Sequence, residues 1–398
     1  MTGAMYAAIS GLKAHMSKLN VIGNNIANVN THGYKSQRVI FQDALYTTSR
    51  SGSNGTSTIG GRNPNQIGYG SVIGTIDLDM STGNYAPGKS SDCMINGDGF
   101  FLVGNKDVAD TIDPTDPTSL KALTLTRVGN IEFGPDGYLV DGAGNVIYGF
   151  LSTGVDKDGK PMMCDQLVPI RLPRMYEADV LDDNGDVVYK KGSPIFPTGP
   201  AVKDKDGKPV TTKAGETIKD GWPLDKDGKS TEPEKENPTD PDPENKTPYM
   251  SVDSISFDEN TGAITCITKE TDEPVVIGYM AIGNVTNPNG VTHMGGPYYK
   301  CLDGAGDLKV CLLGGAAKDL GLTTINGSKL KDDEEAAKGM TIDNGGTTAL
   351  VTGGLELSKA DLATEISEMI TTQRGYQANT RIITVTDSML EELVNMKR

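Results

Sequence analysis

The sequence predicts a mainly β protein with one long α-helix at each end. Two observations carry this. Apolar residues recur at helical spacing only near the two ends of the 398-residue chain, at 3–29 and 358–397. Between them lie short apolar or alternating runs broken by glycine-rich turns, and the chain holds 49 Gly without a collagen period. Excess glycine of that kind marks many turns and hence many short strands. The length suggests two or three domains.

The N-terminal helix, placed at 1–30, carries Met5, Ile9, Leu12, Met16, Leu19 and Ile26 in a 4-3 register that skips Gly23. That is a stripe with heptad character. A helix of roughly 24 residues would run about 36 Å. Asn30-Thr31-His32-Gly33 ends it, Gly33 supplying a positive φ. Residues 31–70 are rich in Ser, Gly, Thr and Asn and read as a linker. The inner β domain is expected at 71–150 plus 275–354, with strands in 71–80, 99–103, 123–127 and 146–150. Asp136-Gly137, Asp141-Gly142 and Gly144-Asn145 give its turns.

Residues 151–274 read as an outer β insert. Asp-Lys-Asp-Gly-Lys recurs at 156–160, 204–208 and 225–229, with Asp-Asn-Gly at 183–185, as hairpin tips. An EF-hand is excluded because Gly154, Val202 and Pro223 stand where the first Asp ligand belongs. The charged, proline-rich stretch 231–248 reads as an exposed loop that cannot pack a core. A second turn-rich insert lies at 314–347. The last segment, 355–398, is the second helix, with Leu362, Ile366, Met369, Tyr376, Ile383 and Leu390 in register and Ile370 and Leu393 widening the stripe. Ser358 with Asp361 reads as its cap. Two terminal stripes lack a third helix to complete a bundle. They are expected to pack against each other, in a coiled-coil-like manner, and against neighbouring copies. The bland alternative is that each covers its own domain.

Composition excludes several functions. Lys+Arg 37 against Asp+Glu 53 gives a net charge of −16, opposite to what phosphate neutralisation or a polybasic membrane surface needs. No apolar run approaches a membrane span, so no membrane insertion is expected. Lys13, His15 and Lys18 interrupt any signal-peptide apolar region. Cys93, Cys164, Cys266, Cys301 and Cys311 form no CxxC and read as packing residues, with a Cys301–Cys311 bridge as the alternative. His15, His32 and His293 are scattered, so neither a metal site nor a cofactor is expected. Gly83-Asn84-Tyr85-Ala86-Pro87-Gly88-Lys89-Ser90 matches the phosphate-loop pattern literally. The residues after it, Ser91 to Phe100, lack the helical period that such a loop must open. No Ser/His/Asp set can be argued, so no catalytic residue is assigned. A P-loop enzyme and a β-rich secreted adhesin remain as the alternatives from other classes.

Ile9-Ser10-Gly11-Leu12 followed by Val21-Ile22-Gly23-Asn24-Asn25-Ile26-Ala27-Asn28-Val29-Asn30-Thr31-His32-Gly33-Tyr34-Lys35 resembles the N-terminal signature of bacterial flagellar axial proteins, the rod, hook and hook-associated proteins. Met369-Ile370-Thr371-Thr372-Gln373-Arg374-Gly375-Tyr376-Gln377-Ala378-Asn379 and Asp387-Ser388-Met389-Leu390 resemble the family's closing helix. Residues 83–101 are similar to its internal pattern. The resemblance covers roughly 1–150 and 275–398, and the length points to a hook-type member, with a distal rod subunit as the alternative. It implies that the terminal helices form a coaxial tube around an export channel with β domains outside. Asn24, Asn25 and Asn28 would cap the helix or bond between subunits. The implied partners are further copies of the chain, rod and hook–filament junction proteins, a hook cap and the type III export apparatus. The implied location is the flagellum outside the cell, reached without a cleaved signal.

Overall fold

In the computed structural model the chain is described for residues 2–396, apart from 56–59, 106–111, 113, 115–116, 156–160, 165–166, 176–179, 182–186, 196–248, 270–273, 316–319, 321–322, 326–342 and 345–347. It forms two compact units, Met1–Met80 with Ser358–Arg398, and Ser81–Leu357.

The first unit holds both long helices, α1 (Thr2–Ala27) and α2 (Leu362–Met396). Helix α1 stops because Asn28 turns back: its N–H bonds the Asn24 and Asn25 carbonyls at 3.2 Å each, and its amide bonds Asn24 O at 2.9 Å. Gly33 follows with φ +68°, as its position in the turn requires. Asp361 caps α2, accepting the Ala363 N–H at 3.2 Å and the Thr364 hydroxyl at 2.6 Å. Ser358 closes a separate turn by accepting the Ala360 N–H, so the cap is Asp361 alone.

Residues 37–55 and 60–78 form one kinked antiparallel hairpin. Its base pairs β1 (Gln37–Asp43) with β4 (Ser71–Leu78), Gln37 opposite Leu78 and Asp43 opposite Ser71. Its distal arm pairs β2 (Tyr46–Arg50) with β3 (Asn65–Gly68). Two hydrogen bonds carry the ladder through the elbow, Ala44 N–H to Gly70 O and Tyr69 N–H to Leu45 O. The segment read as a linker therefore contains three strands. Composition alone suggested a linker because Ser, Gly and Thr are polar, but Thr and interspersed Val, Ile, Phe and Tyr suit a pleated ribbon.

Among its described residues the second unit is β apart from short helical turns. It begins with β5 (Tyr85–Pro87), β6 (Cys93–Asn96), β7 (Phe100–Gly104), β8 (Thr124–Thr126), β9 (Ile131–Phe133), β10 (Leu139–Asp141) and β11 (Val146–Val155). Next come β12 (Pro161–Cys164), β13 (Val168–Pro169), β14 (Arg174–Met175), β15 (Val180–Leu181), β16 (Val187–Tyr189) and β17 (Pro194–Ile195). Beyond residue 248 follow β18 (Val252–Phe257), β19 (Ala263–Thr268), β20 (Pro274–Val285), β21 (Thr292–Gly295), β22 (Tyr298–Lys300) and β23 (Leu308–Leu312). The last four are β24 (Thr323–Ile325), β25 (Asp343–Asn344), β26 (Ala349–Thr352) and β27 (Gly354–Glu356).

The main sheet runs β18-β19-β20-β11-β7-β8-β22-β21. Strand β20 is its hub, pairing with β19, β11, β23 and β7. Phe100, Phe101, Leu102, Ile147, Tyr148, Phe150, Met280 and Leu312 are buried around it. These runs are apolar on both faces, as central strands must be. The insert boundary shifts accordingly. Strands β12, β13, β18 and β19 fall inside 151–274, yet they hydrogen-bond into this sheet. Arg174 and Tyr249 form a bridge, so the chain leaves and returns at neighbouring points. The Asp-Lys-Asp-Gly-Lys repeats, 183–185 and the 231–248 stretch lie outside the described residues, as does most of 314–347.

The phosphate-loop match is strand β5 and a turn leading into strand β6, not a strand opening a helix. Lys89 is exposed and 3.5 Å from Glu132. All five cysteines are buried and none forms a disulfide, Cys301 and Cys311 included.

Candidate assembly surfaces

In the first unit the two helices lie antiparallel. Gly11 faces Asn379, Gly375 faces the His15 ring, Lys18 pairs with Glu368 at 3.0 Å, and Asn25 bonds Glu365 at 2.8 Å. Numbers rise along one helix as they fall along the other. Glycine at 11 and 375 allows the approach, since a Cβ there would come within 2.7 Å of the Asn379 amide and 2.8 Å of the His15 ring. The buried positions of α1 are Ala8, Gly11, Ala14, Ile22 and Asn25, and those of α2 are Thr372 and Thr386. These are mostly small or polar side chains, offset by about one position from the apolar stripe.

The predicted stripe is consequently left largely uncovered within one chain. Ile9, Leu12, Leu19 and Ile26 are only half-buried and Met16 is exposed. On α2, Leu362, Ile366, Ile370, Leu390 and Leu393 are exposed, while Met369, Tyr376 and Ile383 are half-buried. The reason is geometric: one partner helix covers one face, and the face chosen is the one whose small residues permit close approach.

The hairpin adds a second uncovered apolar surface. Leu45 is 84 % exposed at the elbow, with Tyr46, Tyr69 and Val72 beside it, and Ile40, Phe41, Ile67 and Ile76 are exposed along the arms. A two-stranded ribbon alone is at best marginal in water. It rests on α1 at the elbow and along the base: the Ser10 hydroxyl bonds Tyr69 O at 3.0 Å, and Phe41 meets the His15 ring edge-on at 5.6 Å.

Asn25 joins the parts. Its amide nitrogen donates to Gln37 O and to Glu365, both at 2.8 Å, and its oxygen accepts the Gln37 N–H and the Tyr34 hydroxyl, both at 3.0 Å. Helix α1, the start of the hairpin and α2 thus meet on one buried side chain. Asn24 supports it by donating to Tyr34. Lys35 is buried, with its ammonium 3.4 Å from Met80 O. Ala27, Gln373, Arg374 and Gln377 are exposed, and Asn379 seats against Gly11. Burial pushes the Glu365 carboxyl up, opposed by the Asn25 hydrogen bond and aided by Glu368. Burial, with Lys18 adding, pushes His15 down. The sequence singled out Asn24 and Asn25 but not Glu365 or His15, which carry no signal beyond lying on the same helices.

Among the described residues no helix is long and apolar enough to cross a membrane. Residues 5–35 match the family model described as flagella basal body rod protein, and 351–396 match that of the flagellar basal body rod FlgEFG protein C-terminal. The chain is 29 % identical to the flagellar basal-body rod protein FlgG of Bacillus subtilis, and 25 % identical to the flagellar hook protein FlgE of Borreliella burgdorferi, over the full length of both partners in each case. With the FlgG of Buchnera aphidicola subsp. Baizongia pistaciae it shares 33 % identity across 46 % of this chain and 70 % of that one. A crystal structure of the Helicobacter pylori hook protein FlgE2 is similar at 13 % identity and TM-score 0.32, covering 68 % of this chain and 100 % of that one. The two family models fall on α1 with its Asn-rich turn and on α2, and with the 33 % identical rod protein they show that the chain belongs to the flagellar rod and hook protein family, structural subunits of the flagellar axis.

Proposed function

We propose that this chain polymerises into a hook-type segment of the flagellar axis, a hollow tube with α1 and α2 inside and the β unit outside. The observation that carries it is the uncovered apolar stripe on both helices, together with the exposed hairpin. A surface this apolar is unfavourable in a lone subunit and is buried when copies stack. The hook reading rests on the length of the middle of the chain, 151–274, which the sequence reads as an outer insert. Polar, turn-rich outer surface slides more readily than an apolar seam, and a bending tube requires sliding. Its neighbours in this reading are rod and junction proteins at either end and a cap at the growing tip. Subunits reach that tip through the type III export apparatus.

The full-length likeness to the Bacillus rod protein favours a second reading, a distal rod subunit. Electron microscopy of the purified protein after polymerisation separates the two. Hollow tubes that curve and switch curvature support the hook, straight stiff tubes support the rod, and absence of tubes under all assembly conditions overturns both.

A further inference from the structure

The chain crosses between the two units twice, entering the second at Ser81 and leaving it at Leu357. Immediately inside, β5 and β27 pair antiparallel, with Tyr85 opposite Glu356 nearest the crossing and Pro87 opposite Gly354 furthest from it. Pulling the two crossings apart loads such a pair one hydrogen bond at a time from its open end. A ladder of three residue pairs resists that poorly.

A buried ionic group sits at that open end. Glu356 Oε1 accepts the Gly83 N–H at 2.6 Å, which ties the incoming strand to the outgoing one. Its Oε2 lies 3.5 Å from Arg127 Nε, and both side chains are 1 % exposed or less. Arg127 in turn donates to Gly99 O and Gly97 O, both at 2.9 Å, and its guanidinium lies 6.0 Å from the Phe100 ring centre. Phe100 starts β7, which pairs with β8, β11 and β20 in the middle of the main sheet. Backbone geometry is fitted to the group. Gly97 and Gly99 turn their carbonyls toward Arg127 at φ +122° and +121°. A Cβ at Gly83 would collide with the Leu357 carbonyl. An ion pair this deep costs desolvation that a well-packed apolar pair avoids, so stability alone is a poor account of it.

We propose that Arg127 and Glu356 form a mechanical anchor, which takes load arriving at the two crossings and passes it to the central sheet before the β5–β27 ladder can peel. The proposal concerns one chain and holds whether the polymer is rod or hook.

Single-molecule pulling in two directions tests it. With the full chain held by its ends, the helices separate first and tension then reaches Ser81 and Leu357. Unfolding of the second unit is recognised by a length gain of roughly 1,000 Å, at up to ~3.6 Å per residue. Glu356→Gln keeps an oxygen for the Gly83 N–H and removes the charge. Its unfolding force along this direction should fall by half or more. With handles at the exposed Asp136 and Asn289, the anchor is off the force path and the same variant should unfold within about a tenth of the unaltered force. Equal weakening in both directions, or none in the first, overturns the anchor. Should the variant fail to fold, hydrogen exchange of the unaltered protein decides. The Gly83 amide should exchange as slowly as that of Leu102 in β7, and exchange a hundredfold faster would show that the crossing opens freely.

Discussion

The two units solve the burial problem in opposite ways. The Ser81–Leu357 unit encloses Phe100, Phe101, Leu102, Tyr148, Phe150, Met280 and Leu312 within itself. The helix-and-hairpin unit buries few apolar side chains, among them Ala8, Ala14, Ile22, Tyr34 and Val39, and exposes Leu45, Ile67, Ile366, Ile370 and Val394. The first unit leaves apolar side chains of the kind the second encloses open to water, and in the proposed polymer neighbouring copies cover them. Stability and assembly are thereby assigned to different parts of one chain, and substitutions should separate them.

The largest separation is expected from a charge on the stripe. Ile366→Asp or Leu12→Asp buries an unpaired carboxylate at every subunit contact, at a cost of several kcal/mol each. Polymerisation, followed by light scattering, should be lost while the melting transition of the β unit stays in place. Tubes formed normally by both variants would end the distinction drawn between the units. Next comes protease resistance of the unpolymerised chain. Isolated helices and a two-stranded ribbon are marginal in water, so limited digestion should trim both ends and leave a fragment of about 81–357. Mass spectrometry of the resistant fragment checks this, and protection of α1 and α2 in a verified monomer would contradict it.

Acidity should affect the first unit more than the second. His15 is held below the usual histidine value, so the folded helix pair favours its neutral form. That contribution is complete above about pH 6.5 and is lost as pH falls through 6.5 toward the lowered folded value. Glu365 is held above the usual carboxylate value, so its contribution is complete below about pH 4.3 and is lost as pH rises through the raised value. Between pH 7 and 5 protonation of His15 gives the melting temperature of the helices in assembled protein a downward slope with acidity, which protonation of Glu365 opposes. His15→Asn should flatten that slope, and an unchanged slope would place the sensitivity elsewhere.

Replacing 176–248 by a short Gly/Ser linker should leave the β unit folded, because Arg174 and Tyr249 already sit side by side as a bridge. An unchanged denaturation midpoint checks this. A collapse of the midpoint would show that the excised residues belong to the core. The smallest effect is expected at Lys89, which is exposed in a turn and holds a surface ion pair with Glu132. Lys89→Ala should change stability by less than about 0.5 kcal/mol. Millimolar ATP-Mg should leave the melting temperature where it was, and a saturable shift would revive the phosphate-loop reading.

The fold class was legible because its signals are local. Helical periodicity marked α1 and α2 within a few residues, and glycine-rich turns marked a β interior. Of the hairpin at 37–78 only the strand in 71–80 was legible, and it was assigned to the β domain rather than the helical unit, because β1 is broken by a bulge at Ile40/Phe41 and pairs with β4 across more than twenty residues of intervening chain. The choice of helix face was equally hidden. The apolar stripe through Leu12 and Ile366 was read correctly as apolar, but the intrachain contact uses Gly11, Ala14, Gly375 and Asn379, which no hydrophobic pattern selects.

The sequence by itself determined where the helices lie, that the middle is β, and which family the ends resemble, since each follows from residues close together in the chain. Only the tertiary structure decided which face of each helix its own partner takes, that Asn25 meets Glu365 across the helix pair, and that Arg127 reaches Glu356 in the interior. Those pairings join residues more than two hundred positions apart. Their energy depends on shared burial and on distances of a few ångströms, and folding alone brings such groups together.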